Sequence, residues 1–89
     1  MSITERINKK LTEAFSPSVL DVVDESAKHK GHGGWREGGE THFHVTVVAD
    51  AFEGKSRVDR QRMVYALLAD EMAERVHALA LTTKAPAEV

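Results

Sequence analysis

Five histidines, in a chain of 89 residues without cysteine, are the residues whose chemistry most needs an explanation. His29 and His32 form an H-x-x-H pair in a glycine-rich segment, where a flexible backbone would let both imidazoles face one ion. Imidazole nitrogen binds zinc, copper, nickel and iron, so this pair indicates a candidate metal site without naming the metal. A solvated polar loop that binds nothing is the alternative interpretation.

The other three histidines occur in two apolar segments. His42 and His44 lie two residues apart in an alternating run, so their side chains share one strand face about 7 Å apart. This separation disfavours a shared ion, and we expect both to be surface or half-buried polar residues. His77 alternates with Leu79 and Leu81 at the start of an apolar run. It is either a half-buried histidine with a hydrogen-bond partner or a ligand held on a rigid strand opposite the histidine-bearing loop.

Other chemistry is scarce in this sequence. The absence of cysteine excludes disulfides, thiolate zinc sites, cysteine nucleophiles and iron–sulfur clusters held by the chain's own sulfur. No serine lies in a nucleophile-elbow context. Asp24 and Glu25 are adjacent carboxylates, but neighbouring residues on a strand point to opposite faces and cannot act as an acid/base couple. We therefore predict no catalytic residue.

A group of cations marks the start of the second predicted helix: Lys55, Arg57, Arg60 and Arg62. They form either a solvated helical face or a surface that contacts phosphate or an acidic partner. The net charge of −2, from 12 Lys and Arg against 14 Asp and Glu, gives no overall attraction to nucleic acid, so only a local basic face remains. Trp35, in the glycine-rich segment, is expected to be exposed and to anchor a binding partner.

Hydrophobic periodicity predicts two helices and three strands in the order α-β-β-α-β. The first helix begins at the capping-box sequence Ser2-Ile3-Thr4-Glu5 and ends before Pro17. Branched and alternating residues predict the strands, and five of the six glycines predict a mobile loop between the first two. The expected ranges are helices over 3–15 and 57–74, strands over 19–26, 41–48 and 76–83, the loop over 28–39, and a short tail over 84–89.

These elements predict a single small α/β domain over residues 1–89. The loop would join the first two strands as an antiparallel pair, and the second helix would form a right-handed crossover to a third strand parallel to one of them. The result is a three-stranded mixed sheet with the helices packed on one face. On the second helix we expect Val64, Leu67, Leu68 and Met72 to point inward, and Arg57, Arg60, Gln61, Asp70 and Glu74 to point outward.

The sequence also predicts a cytoplasmic location. The segment that begins the chain has no apolar stretch of the kind found in signal peptides. The longest run without Asp, Glu, Lys or Arg, over 41–49, is too short to span a membrane. The absence of cysteine agrees with a reducing compartment.

Five segments of the chain form a pattern typical of one protein family. They are Val22-Val23-Asp24-Glu25-Ser26, Glu40-Thr41-His42-Phe43, Phe52-Glu53-Gly54, Arg60-Gln61-Arg62-Met63-Val64-Tyr65 and Val76-His77-Ala78-Leu79-Ala80-Leu81. Each segment is short, but their order and spacing are specific, and together they resemble the BolA family over about residues 3–86.

The resemblance implies a fold similar to a type II KH domain and a non-enzymatic function. BolA proteins bind monothiol glutaredoxins and share a [2Fe-2S] cluster with them, in iron–sulfur cluster assembly or transfer and in iron homeostasis. We therefore expect a heterodimer in which the partner supplies sulfur, with no cluster held by this chain alone. Some members are described as DNA-binding transcription regulators, so a regulator that uses the basic start of the second helix is the alternative function.

The resemblance also implies which histidines ligate the cluster. The family's histidine in the last strand corresponds to His77, and its loop ligand corresponds best to His29, which follows Glu25-Ser26 at the family's usual distance. The loop of this chain is longer than the simpler family pattern and carries His32 as well, which could replace His29. His42, in the Thr-His-Phe motif, is the position of a further alternative ligand. Whether the chain forms homo-oligomers stays open.

Overall fold

A computed structural model of the chain describes residues 2–26 and 39–89. His29, His32 and Trp35 lie outside these residues, as does most of the loop predicted over 28–39. In the described parts the helices and strands follow the predicted order. None of the helices there is long and apolar enough to cross a membrane.

The first helix, α1, spans Ile3–Phe15, as predicted. Ser2 and Glu5 form the predicted capping box: the Ser2 hydroxyl accepts the backbone N–H of Glu5 at 3.1 Å, and the Glu5 carboxylate accepts that of Ser2 at 3.2 Å. The helix ends at Ser16, which takes a left-handed conformation with φ of 45° immediately before Pro17. The buried side chains of α1 are Ile3, Ile7 and Leu11.

Three strands form one mixed sheet in the order β1-β2-β3, with ranges Val19–Asp24, His42–Val48 and Ala78–Lys84. β1 pairs antiparallel with β2, and β3 runs parallel to β2, which confirms the expected mixed pairing. The first strand ends two residues before its predicted limit of Ser26. The reason is local, because Ser26 turns its backbone N–H and its hydroxyl toward the Asp24 carboxylate and leaves the strand ladder.

The core lies between the sheet and the helices. Phe43, Val45 and Val47 alternate along β2 and are at most 2% exposed, as the predicted alternation requires. Phe52, in a short 3-10 turn at Asp50–Phe52, is also fully buried, and its ring lies 5.2 Å from that of Phe15. Burying each such side chain stabilises the fold by about 1.5–3 kcal/mol.

The helix predicted over 57–74 is divided into α2, Arg57–Leu67, and α3, Ala69–Glu74. Leu68 between them has φ of −98° and ψ of 19°, outside the helical region. The Leu68 N–H still bonds the Val64 carbonyl, and the Met72 N–H still bonds the Leu68 carbonyl, each at 3.0 Å. The interruption therefore keeps these two hydrogen bonds.

Glu71 is a buried charge that joins α3 to α1. Its side chain is fully buried, with Lys10 Nζ 2.8 Å from Oε1 and Arg6 Nη2 2.7 Å from Oε2. Burial by itself raises the pKa of Glu71, but the hydrogen bond from Lys10 and the two neighbouring positive charges outweigh it, and the pKa lies below its usual value. Helical periodicity did not predict this buried carboxylate.

The orientation predicted for Arg60 is wrong. Val64 and Leu68 are buried and Leu67 and Met72 half-buried, as expected, but Arg60 is only 8% exposed. Its Nη1 donates to the Thr83 carbonyl at 3.2 Å and lies 2.6 Å from Glu88 Oε1. A long side chain that starts on the outer face of α2 thus reaches across to the end of β3 and to the 3-10 turn Pro86–Glu88.

Candidate functional site: a histidine pair at one end of the sheet

His42 and His77 lie side by side at the end of β2 and β3. Their ring centroids are 5.4 Å apart, and the ring planes are inclined by 52°. His42 is the first residue of β2, and His77 immediately precedes β3. The parallel register places His42 opposite Ala78, so the residue before Ala78 comes next to His42 although 35 positions separate the two histidines. The structure thus brings together two of the four predicted metal ligands.

The backbone of His77 is fixed although the residue lies outside β3. The His77 N–H donates to the Thr41 carbonyl at 2.7 Å, and the Ala78 N–H donates to the same oxygen at 3.1 Å. The predicted strand over 76–83 therefore begins later, because this shared carbonyl replaces the regular ladder at its start. The His77 side chain is exposed, so the first of its two interpretations, a half-buried histidine, is wrong.

His42 differs from His77 in its surroundings. It is only 6% exposed, and its Nδ1 lies 2.8 Å from Thr41 Oγ1. We expected a surface or half-buried polar residue, and the structure shows a buried one. Its ring lies against that of His77 and contacts the Thr41 hydroxyl, neighbours that strand alternation alone does not predict.

His44 does not belong to this pair. It is half-buried, as predicted, and its Nε2 lies 3.1 Å from Thr82 Oγ1 on β3. Although His42 and His44 alternate on the same strand, their polar contacts are with different residues.

The Ser26 hydroxyl holds the backbone on which the histidine pair depends. Its Oγ accepts the N–H of Thr41 at 2.8 Å and that of His42 at 3.2 Å, and it donates to the Asp24 carboxylate. Ser26 is 2% exposed and Thr41 is fully buried, so water does not replace these bonds. The residues that matched the family as Asp24-Glu25-Ser26 and Thr41-His42 thus form one hydrogen-bonded unit.

The Asp24 carboxylate joins the two ends of the segment that contains His29 and His32. Oδ1 accepts the Ser26 N–H at 2.9 Å, and Oδ2 accepts the Glu40 N–H at 3.0 Å. Partial burial by itself raises the pKa of Asp24, but the hydrogen bonds from Ser26 and Glu40 outweigh it and lower that pKa. The Asp24 carboxylate therefore holds the backbone on both sides of this segment.

The backbone just before β2 is strained. Gly39 and Glu40 have φ of 74° and 60°, in the left-handed region. A Cβ at position 39 would lie 3.2 Å from Asp24 Oδ2, a tight contact that adds to the conformational preference for glycine at this positive φ. Arg75 Nε donates to the Gly39 carbonyl at 2.7 Å, and the Glu40 carboxylate accepts the Thr4 N–H at 3.1 Å. Residues of α1, β1 and the end of α3 therefore all hold Gly39 and Glu40 in place.

The chemistry available at this end of the sheet is that of two imidazoles. Within residues 2–26 and 39–89, no three His, Cys, Asp or Glu side chains converge as a complete metal site. An exposed imidazole on a fixed backbone suits a metal centre whose other ligands come from elsewhere. The geometry therefore fits a partial donor set.

The four basic residues predicted to contact nucleic acid do not form one surface. Lys55, Arg57 and Arg62 are exposed, whereas Arg60 is tied to Thr83 and Glu88. Lys55, Arg57 and Arg60 line a cleft of about 350 Å³ together with Lys84, whereas Arg62 does not. Sequence reasoning missed Lys84, because only the pairing of β3 with the rest of the sheet places it beside the start of α2.

Comparison with known proteins identifies the family. The family model described as "BolA-like protein" matches residues 11–88. The chain is 48% identical over 83 residues to the "DNA-binding transcriptional regulator BolA" of Escherichia coli, covering 93% of this chain and 75% of that protein. It is 47% identical over 88 residues to "SufE-like protein 1, chloroplastic/mitochondrial" of Arabidopsis thaliana, covering 94% of this chain but only 24% of that protein's length.

A solved structure extends this likeness to the fold. The BolA domain of SufE1 from Arabidopsis thaliana superposes with a TM-score of 0.90 at 46% identity, covering 100% of this chain and 98% of that one. The fold expected from the residues, a small α/β domain with a three-stranded mixed sheet, is confirmed by this match. Sequence, family model and fold agree, and the chain belongs to the BolA-like protein family.

Proposed function

We propose that this BolA-like chain is a non-enzymatic protein that binds a monothiol glutaredoxin and co-ligates a [2Fe-2S] cluster with it. The observation that carries the proposal is the exposed imidazole of His77, held on a fixed backbone beside the buried His42. The chain has no cysteine, so the glutaredoxin supplies the thiolates. The proposed roles are assembly or transfer of clusters and iron homeostasis, in the cytoplasm.

His77 is the preferred ligand of the two paired histidines. Its side chain is exposed, so a partner's metal centre can approach it without any change in the fold. His42 is 6% exposed, and its Nδ1 already contacts Thr41 Oγ1 at 2.8 Å. Ligation through His42 would first require its ring to move away from a packed position, so we keep it as the alternative ligand.

The second ligand from this chain is proposed to be His29, with His32 as its alternative. Both lie outside the described residues. His29 follows Ser26 by three residues, a separation that an extended chain spans in about 10 Å. Ser26 in turn donates to Asp24 and binds the backbone of His42, so the segment departs from the same end of the sheet as the histidine pair.

Imidazole ligation would give the cluster properties suited to transfer. When neutral imidazole replaces thiolate, the cluster carries less negative charge and its reduction potential rises. Imidazole also titrates near neutral pH, which makes its release from iron sensitive to protonation. The [2Fe-2S] cluster supplies iron and sulfide to be delivered or sensed, while this chain contributes nitrogen ligands and a docking surface that includes Trp35.

An anaerobic titration tests this proposal. Glutaredoxin loaded with [2Fe-2S] is mixed with increasing amounts of this chain while visible absorption and circular dichroism are recorded. We expect a new spectrum that saturates at the ratio of a heterodimer, and we expect His77→Ala to abolish it. His44→Ala is the matched control, because His44 lies in the same sheet and its Nε2 contacts Thr82 and neither histidine of the pair. Unchanged spectra with the wild-type chain, or a His77→Ala spectrum equal to wild type, would contradict the proposal.

A second candidate function is sequence-specific DNA binding by the basic start of α2. The observation that favours it is the exposure of Lys55, Arg57 and Arg62, together with the name of the Escherichia coli relative, a DNA-binding transcriptional regulator. In this structure the Arg60 guanidinium binds Thr83 and Glu88, so the exposed cations of this candidate surface are Lys55, Arg57 and Arg62. Near-zero net charge makes such binding depend on this local face alone.

A salt titration of duplex binding tests the second function. If Arg57 contacts phosphate, Arg57→Gln reduces the slope of log K against log salt by about 0.9. Lys9→Gln is the control, because Lys9 is an exposed cation of α1. Equal slopes for the two variants, or equal affinity for specific and random duplexes, would argue against regulation through this face.

A further inference from the structure

The cleft between the start of α2 and the end of β3 concentrates positive charge. Four cations and one carboxylate line it: Lys55, Arg57, Arg60, Lys84 and Glu88, together with Thr82 and Thr83. The four positive charges against one negative charge contrast with a whole chain whose net charge is −2. The volume of about 350 Å³ falls within the range of pockets that hold small ligands. The cleft thus has the charge and the size of an anion site.

Within the described part of the chain, most of these cations have no carboxylate paired with them. Of the four cations, only Arg60 forms an ion pair within residues 2–26 and 39–89. Lys55 and Lys84 come from different elements and yet face the same cleft as Arg57. Bringing like charges together is unfavourable unless an anion neutralises them, so the arrangement favours a bound anion.

The ion pair between Arg60 and Glu88 leaves part of the Arg60 guanidinium without a hydrogen-bond partner among the described residues. Glu88 Oε1 lies 2.6 Å from Arg60 Nη1 and also accepts the Ala85 N–H at 2.7 Å. Those two interactions keep the pKa of Glu88 below its usual value. Arg60 Nε, by contrast, is buried and has no hydrogen-bond partner in the described part of the chain. A guanidinium has five donors in a planar fork, and one carboxylate oxygen does not satisfy them.

We propose that this cleft binds a phosphate-bearing anion, and that the Glu88 carboxylate occupies part of the site when the anion is absent. Glu88 lies in a single 3-10 turn that contains no buried residue, so it can move aside without disturbing the core. The incoming phosphate oxygens take over the Nη1 contact of Arg60 and reach its unsatisfied Nε. Arg57, Lys55 and Lys84 complete the charge.

The balance of charge favours phosphate over a carboxylate ligand. Glu88 shows what a single carboxylate achieves: among residues 2–26 and 39–89 it forms an ion pair with Arg60 and with none of the other three cations of the cleft. A phosphate group carries up to two negative charges and three acceptor oxygens, and arginine binds it in a bidentate manner. A diphosphate carries more negative charge than a single phosphate and would better match the four cations that line the cleft once Glu88 has moved aside.

Calorimetric titration of the full chain with inorganic pyrophosphate tests the site. We expect saturable binding of one equivalent that weakens as sodium chloride is added. Arg57→Gln and Lys84→Gln should each weaken binding by about three- to tenfold. Glu88→Gln should strengthen it, because the amide oxygen still accepts the Ala85 N–H but no longer carries charge to compete with the ligand.

Two variants with the same charge changes serve as controls. Arg62→Gln removes a cation of α2 that does not line the cleft, and Glu13→Gln removes an exposed carboxylate of α1. Neither should alter the affinity for pyrophosphate by more than about twofold. Absence of saturable binding would overturn the proposal. So would equal losses for Arg57→Gln and Arg62→Gln, or an unchanged affinity in Glu88→Gln.

The source of the phosphate is decided by competition. A short DNA duplex that pyrophosphate displaces, and whose binding weakens in Lys84→Gln, identifies the nucleic-acid backbone as the natural occupant. A duplex that pyrophosphate does not displace assigns the site to a free phosphate compound. Neither result involves His77, so failure of this site and failure of cluster ligation are distinguishable.

Discussion

The Ser26 hydroxyl forms hydrogen bonds with three residues of the candidate site. It accepts two backbone N–H groups, from Thr41 and His42, and donates to Asp24. The two N–H groups lie at the start of β2. The carbonyl of Thr41 accepts the N–H of His77. The Ser26 side chain thus holds the backbone of Thr41 and His42, and Thr41 in turn holds the backbone of His77.

We therefore predict that Ser26→Ala destabilises the fold. The substitution leaves two buried N–H groups without a partner, which costs about 1–3 kcal/mol in the free energy of unfolding. Urea denaturation measures this cost, and Ser18→Ala is the control, because Ser18 is exposed and its hydroxyl makes only a 3.4 Å contact with the Val48 carbonyl. Equal free energies for the two variants would show that the Ser26 hydroxyl does not hold this strand end.

Two glycines with the same φ separate conformational strain from steric contact. Gly39 and Gly54 both have φ of 74°, but only a Cβ at position 39 meets another group, Asp24 Oδ2 at 3.2 Å. Gly54→Ala should cost about 1 kcal/mol, the strain alone. Gly39→Ala should cost more and should also shift the NMR signals of the His77 ring. Equal costs in denaturation, with unchanged His77 signals, would contradict the role given to the Asp24 contact.

At the scale of elements, the ion pairs of Glu71 hold α3 against α1. Lys10 and Arg6 approach its buried carboxylate from α1, while the carboxylate comes from the short helix that follows the break at Leu68. Because the folded protein lowers the pKa of Glu71, ionised Glu71 stabilises the fold at pH values above its unfolded pKa. That contribution is lost as the pH falls through the lower, folded pKa.

Glu71→Gln should accordingly lower the free energy of unfolding by about 1–3 kcal/mol at neutral pH. The difference from wild type should shrink as the pH falls below about 4, where the wild-type carboxylate also becomes protonated. Denaturant titrations at several pH values measure both effects. Asp70→Asn serves as the comparison, since Asp70 is 83% exposed and lies 3.8 Å from Lys10 Nζ. A Glu71→Gln difference that is constant with pH would refute the assignment.

Local patterns predicted the elements whose causes are local. The Ser2-Glu5 capping box, the arrest of α1 at Ser16 before Pro17 and the alternation of Phe43, Val45 and Val47 all depend on neighbouring residues, and all are confirmed. The break at Leu68 was not predicted, because no glycine or proline marks it and it depends on how α3 packs.

Arg60 shows the same limit for the candidate sites. Helical periodicity places it outward, but its partners, Thr83 and Glu88, follow it by more than twenty residues and reach it only through the folded sheet. The approach of His42 to His77 depends in the same way on the parallel register of β2 and β3. Residue types predicted that histidines carry the chemistry, whereas the fold determined which two of them meet.

For the whole molecule, the two candidate sites lie on different parts of one small sheet. The histidine pair stands where β2 and β3 begin, and the basic cleft stands where β3 ends. β3 spans Ala78–Lys84, so the two sites are separated by about 20 Å of strand. A partner bound at the histidine end would leave the cleft open, and the two proposed ligands should bind without excluding each other.

The central claim is that His77 is a direct ligand of a shared [2Fe-2S] cluster. Pulsed electron paramagnetic resonance of the reduced heterodimer tests it, with ¹⁵N-histidine incorporated into this chain alone. We predict nitrogen hyperfine couplings that change from the ¹⁴N to the ¹⁵N pattern when this chain carries the label. One of these couplings should disappear in His77→Ala but remain in His44→Ala. Couplings that are the same with and without the ¹⁵N label, or that are identical in His77→Ala and wild type, would contradict the account.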